Sequence, residues 1–217
     1  MEKLRSALAF GGILSKHDID LIAPLFTYKE LQAEDYFQPF DKVAKEIAFV
    51  ESGVLHLFGS DLNGNRVTKY FIRENQFFAN LESYYATQPA TDAIQAVVTT
   101  QLYTISFRVF EQQYARIPNL YIFQKTITEA TLLNKIKDND FLNFGNARIK
   151  YEEFLRRYPS LAQQVPQQYI ASYLKITPQS LSRIRKEATK KNYEKNSIDH
   201  RVFSRYRQGY GHSLRRA

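Results

Sequence analysis

The stretch Val165–Lys186, VPQQYIASYLKITPQSLSRIRK, constrains the fold more than any other part of the chain. It reads as two short helices joined by a tight turn. Pro166 suits the start of the first, because proline at the first helical position forfeits no intrahelical hydrogen bond. Ile170, Ala171 and Leu174 then share one face. Thr177 followed by Pro178 is a second helix start, a hydroxyl cap and then a pre-set φ, with Leu181 and Ile184 as its inward stripe. Ala171 falls where the two helices approach most closely, and its small side chain lets them cross at a steep angle. Lys175 lies in the turn, where a left-handed backbone costs a lysine about 1 kcal/mol.

The outer side of the second helix carries Gln179, Ser180, Ser182, Arg183, Arg185 and Lys186, with Thr177 at its start. Arginine pairs bidentately with guanine, glutamine reads adenine, and hydroxyls and lysine reach bases or phosphates. The arrangement resembles the DNA-binding helix-turn-helix, whose second helix enters the major groove. An ordinary helical hairpin with a solvated basic face has the same spacing, and the charge distribution argues against it. Residues 1–140 hold 14 Lys and Arg against 17 Asp and Glu, a net of −3, whereas residues 141–217 hold 16 against 5, a net of +11. A basic third that coincides with the two-helix stretch is the footprint of a module that binds a polyanion.

Upstream, Ser15-Lys-His-Asp18 has the form of a capping box before Ile19, Leu21, Ile22 and Leu25, which predicts a helix. Short β-rich segments follow: Phe26–Leu31, Tyr36–Phe37, Ile47–Val50, Val54–Phe58, Val67–Ile72, Ala93–Val98 and Leu102–Ser106. The Asn63-Gly64 pair marks a hairpin. Such a series implies an antiparallel sandwich or jelly roll. Leu120, Phe123, Ile127, Ala130, Leu133 and Ile136 then recur every three or four positions. They predict a helix from near Pro118 to Leu142, a rod of about 36 Å, with a residual apolar seam suited to a second copy. Gly145 is a hinge, a helix over Ala147–Arg157 follows, and Thr189–Ala217 forms a basic tail. The predicted class is α+β. Residues 1–116 form the jelly roll, 117–142 a dimerisation helix, 143–188 a helix-turn-helix domain, and 189–217 the tail.

Several functions are disfavoured at this level. No apolar run approaches 18 residues, so no membrane span is expected, and the N-terminus lacks a convincing signal peptide, which points to the cytoplasm. The absence of cysteine rules out disulfides, cysteine-ligated clusters and thiol catalysis. A cupin-like metalloenzyme would need clustered histidines and a carboxylate, yet of the four histidines only His56 falls among the strands. No catalytic residue, metal or cofactor is therefore expected. A nucleic-acid-binding or interaction module that uses the tail is the alternative, since Tyr193, Tyr206 and Tyr210 alternate with arginines able to stack on single strands.

Helix, sandwich, long helix, hinge and helix-turn-helix, in that order, resemble the Crp/Fnr family of bacterial transcription regulators, in the style of members from Bacteroidetes-type bacteria. The resemblance covers residues 1 to 188. It rests on the Glu51-Ser-Gly53-Val-Leu55 turn, the Asp61–Arg66 hairpin and ITPQSLSRIRKE from Ile176 to Glu187. It implies a cyclic-nucleotide-binding-like jelly roll, a winged-helix-like domain, a homodimer on double-stranded DNA, RNA polymerase as a further partner, and a small-molecule effector of unidentified nature. The family's base-reading positions fall on Pro178, Gln179 and Arg183. Pro178 stands where the family often has a polar residue, and the chain beyond Ala188 does not match the family's wing. Cyclic-nucleotide-binding members carry Gly-Glu and, about ten residues later, Arg-Ser, which together cradle the ribose and phosphate. Here those places hold Phe78-Ala79-Asn80-Leu81 and Thr91-Asp92-Ala93, with no glycine between Gly64 and Gly145. Asp92 would repel a phosphate, so cyclic AMP is not the expected effector. Tyr70, Phe71, Phe77, Phe78, Tyr84 and Tyr85 either fill the core or line an apolar pocket.

Overall fold

The computed structural model describes residues 1–143 and 145–188. The basic tail 189–217 lies outside the described residues. The β-rich region forms two four-stranded antiparallel sheets. Its strands are β1 (Thr27–Leu31), β2 (Tyr36–Gln38), β3 (Glu46–Ser52), β4 (Val54–Ser60), β5 (Arg66–Arg73), β6 (Phe77–Phe78), β7 (Ala93–Ala96) and β8 (Thr100–Ser106). One sheet runs β1-β8-β3-β6 and the other β2-β7-β4-β5. Between them Phe37, Val50, Leu55, Ile72, Ile94 and Leu102 are buried, each contributing about 1.5–3 kcal/mol relative to exposure.

Turn chemistry sets the register. Asp61 accepts from the Asn63 and Asn65 amides at 2.9 and 2.8 Å, and Gly64 takes φ +79° to close the β4–β5 hairpin. At the β3–β4 turn Gly53 has φ +99°, and an added Cβ would lie 2.7 Å from the Thr100 backbone, so only glycine fits.

The helices divide into two groups. α1 (Glu2–Leu8), α2 (Lys16–Ile22), α3 (Leu81–Ala86) and α4 (Phe107–Gln112) lie around the sandwich, followed by the long α5 (Leu120–Asn143). Ser15 caps α2 in a full capping box, as its sequence predicts. Leu4, Leu8, Ile22, Phe107, Phe110 and Phe123 form one core with the outer side of β3. α1, α3 and α4 escape sequence reading because six or seven residues are too few to establish a period without a start signal such as the one before α2. α5 starts two residues beyond Pro118, and its first turn is buried through Leu120 and Phe123. The second group is α6 (Ala147–Arg157), α7 (Leu161–Gln164), α8 (Gln167–Tyr173) and α9, residues 178–188. Among the described residues no helix is long and apolar enough to cross a membrane.

Candidate nucleic-acid interface

α8, its turn and α9 form the two-helix unit that the sequence predicts. Pro166, expected at the first helical position of α8, is instead its N-cap, one residue before that position, with φ −54° and ψ 139°. Ile170, Ala171 and Leu174 are fully buried. The turn closes at Lys175, which takes φ +56°, and the Ile176 amide returns to the Ala171 carbonyl at 3.0 Å. Lys175 Nζ also donates to Asn143 Oδ1 at 3.1 Å, tying the turn to the end of α5. Thr177 caps α9, its Oγ1 accepting from the Ser180 amide at 3.1 Å. Its hydroxyl also donates to Ser180 Oγ at 2.9 Å, so both hydroxyls are engaged at the helix start.

Leu181 and Ile184 face inward. On the opposite side Gln179, Arg183 and Lys186 are exposed. They are four and three residues apart, so they form one stripe along the helix. Ser180, Ser182 and Arg185 are half-buried and lie on its flanks. The seven candidate residues of the sequence reading thus separate into an exposed stripe of three, a cap and three flanking positions. Arg148 of α6 forms an ion pair with Glu187 and fixes the far end of α9.

The helical domain packs onto the sandwich through α8 and α6. Ser172 Oγ accepts from the Thr68 amide of edge strand β5 at 2.9 Å, satisfying a backbone donor that a sheet edge leaves open. Tyr173 and Phe154 lie 5.3 and 6.4 Å from the Phe71 ring. Tyr169 lies 4.5 Å from the ring of His56 and donates to Glu34 Oε1 at 3.1 Å. His56 is buried, with Nδ1 3.2 Å from Thr68 Oγ1 and Nε2 3.4 Å from Gln95 Oε1. Burial holds its pKa below the ordinary histidine value. Asp138 of α5 accepts from the hydroxyls of Tyr158 and Tyr173 and from Arg157. Burial, reinforced by the nearby carboxylate, pushes both tyrosines up. None of these cross-domain pairings is visible in the sequence, because each joins residues on different elements.

Solved structures share this architecture. FixK2 from Bradyrhizobium japonicum superposes with a TM-score of 0.64 at 16% identity, over 77% of this chain and 86% of that one. A Eubacterium rectale protein assigned as a transcriptional regulator of the Crp/Fnr family gives 0.64 at 12% identity, over 83% and 86%. The fold is that of the Crp/Fnr regulators. CLP from Xanthomonas campestris, a c-di-GMP-responsive global regulator, has the same Crp/Fnr fold with a TM-score of 0.61 at 14% identity, over 80% of this chain and 91% of that one. No family model and no curated protein matches the chain, so at these identities the relationship is one of fold.

Within this fold polar side chains of segment 78–93 are engaged by hydrogen bonds and an ion pair. Asn80 caps α3 by accepting from the Ser83 amide at 3.1 Å. Ser83 Oγ accepts from the Ala44 amide at 3.0 Å and donates to the Gln88 carbonyl at 2.6 Å. Asp92 pairs with Lys69 at 2.6 Å. Of the aromatic residues noted in the sequence, Tyr84 stacks on Phe107 and Tyr85 is exposed, while Tyr70, Phe71, Phe77 and Phe78 line a cavity beneath α5.

Proposed function

We propose that this chain is a homodimeric, sequence-specific DNA-binding transcription regulator that acts in the cytoplasm, with a non-catalytic sandwich that senses a small molecule other than cyclic AMP. The observation that carries the reading is the stripe of Gln179, Arg183 and Lys186 on α9, exposed opposite the buried Leu181 and Ile184. Arg183 and Gln179 read base edges, and Lys186, Arg185, Ser180 and Ser182 hold phosphates. Thr177 positions the helix through its cap. Ile122, Leu133 and Ile136 are each more than half exposed and lie along one side of α5, where a second α5 would cover them. Two copies related by a two-fold axis would present two α9 helices to successive half-sites, and RNA polymerase would be met on DNA.

The test is binding to DNA from upstream of the protein's own gene at two salt concentrations, beside a scrambled duplex. Arg183→Ala should weaken binding to the native duplex by about 1–3 kcal/mol and leave the scrambled duplex almost unchanged. Equal weakening on both would make Arg183 a phosphate contact. Equal, weak binding of wild type to every duplex would remove the regulator reading.

A further inference from the structure

α5 closes a cavity of about 560 Å³ at the meeting point of edge strand β5, α5 and the DNA-binding domain. The volume is in the small-ligand range, about 300–1,000 Å³. Its walls change character along α5. Near Phe123 and Ile127 they are apolar, with Phe77, Phe110 and Leu81 contributing. Twelve residues further along, about 18 Å on an α-helix, they become cationic through Lys135, Arg73 and Arg157. Of the polar side chains along the middle, two hydroxyls and one amide oxygen are spent within the fold. Thr128 and Thr131 donate to their own helix's Gln124 and Ile127 carbonyls at 2.9 and 2.8 Å, and the Gln124 amide oxygen accepts from Tyr114.

The cationic end is different. Arg157 is already paired with Glu153 and Asp138. Among the described residues no carboxylate lies within ion-pair distance of Arg73 or Lys135, and each rests on an aromatic ring instead. The Arg73 guanidinium carbon is 4.6 Å from the Tyr158 ring centroid, and Lys135 Nζ is 3.7 Å from that of Tyr70. Lys135 is exposed as a whole residue, yet partial burial of its ammonium lowers its pKa.

Resting on the regulator reading, we propose that this cavity binds an acyl-chain carboxylate, its chain lying along α5 toward Phe123 and its head at Arg73 and Lys135. The length of the slot, apolar at one end and cationic at the other, favours an unbranched chain over a compact ring system. Tyr158 and Tyr173 come from the DNA-binding domain and line the same cavity. The ligand therefore touches both domains and biases how they sit together through its differential affinity for each arrangement.

Calorimetry of the full chain without DNA tests this, with decanoate and decan-1-ol as probes. Decanoate should bind one per protomer, at least ten-fold tighter than the alcohol. Lys135→Met and Arg73→Gln should each weaken decanoate at least ten-fold and leave the alcohol unchanged. Equal affinity for acid and alcohol, unaltered binding in both variants, or uptake without saturation would overturn the proposal. Arg183→Ala should bind decanoate like wild type. Loss of decanoate binding with intact DNA recognition removes this proposal alone, and the reverse removes the regulator reading alone.

Discussion

The α8–α9 turn and the segment from Phe78 to Ala93 are built from similar parts. Each has a short helix, a capping side chain and one left-handed non-glycine residue, Lys175 in the first and Thr87 in the second. They differ in where the remaining polar side chains go. In the turn the hydroxyls of Thr177 and Ser180 are engaged at the cap, and Gln179, Arg183 and Lys186 stay in solvent. In the cassette segment Asn80 caps, Ser83 bridges two backbone groups and Asp92 holds Lys69. A fold can consume a segment's polar groups internally. Polar groups are left over on the outer side of α9, a feature shared by Arg73 and Lys135 at the cavity.

The largest effect that could break this comparison lies beneath the turn. Phe154 is fully buried against Phe71, Tyr158 and Tyr173. Phe154→Ala should cost about 3–5 kcal/mol, and hydrogen exchange should rise in α6, α8 and α9 while β3 and β8 keep their protection. Equal loss across both regions would mean that the turn and the cassette stand on one cooperative unit. A smaller effect is expected in the cassette. Asp92→Ala removes a mostly buried partner from a half-exposed lysine and should cost about 1–2 kcal/mol in denaturant unfolding. Neither that variant nor wild type should show micromolar cyclic AMP binding by calorimetry; such binding by wild type would show that the segment is not closed to phosphate. The smallest effect sharpens the account of the turn. Lys175→Gly relieves a left-handed lysine and gives up its bond to Asn143. It should raise stability by about 0.5–1 kcal/mol, read as a higher Tm; a lower Tm would mean that the bond to Asn143 outweighs the backbone strain.

The sequence by itself determined what depends on neighbours within a few positions. The Ser15 capping box, the Asp61–Asn65 hairpin, the Thr177 cap, the left-handed Lys175 and the inward stripe of Leu181 and Ile184 are all local, and all stand where the residues placed them. Local pattern also limited the answer to two helices with a basic outer side, without separating exposed Gln179, Arg183 and Lys186 from half-buried Ser180, Ser182 and Arg185. That separation needs the azimuth at which α9 meets its core, which packing sets. Only the tertiary structure decided that Ser172 would satisfy the edge of β5, that Asp92 would find Lys69, and that Arg73 and Lys135 would be left facing a cavity on aromatic rings. Pairing across elements depends on which surfaces are buried together, and burial is a property of the whole chain.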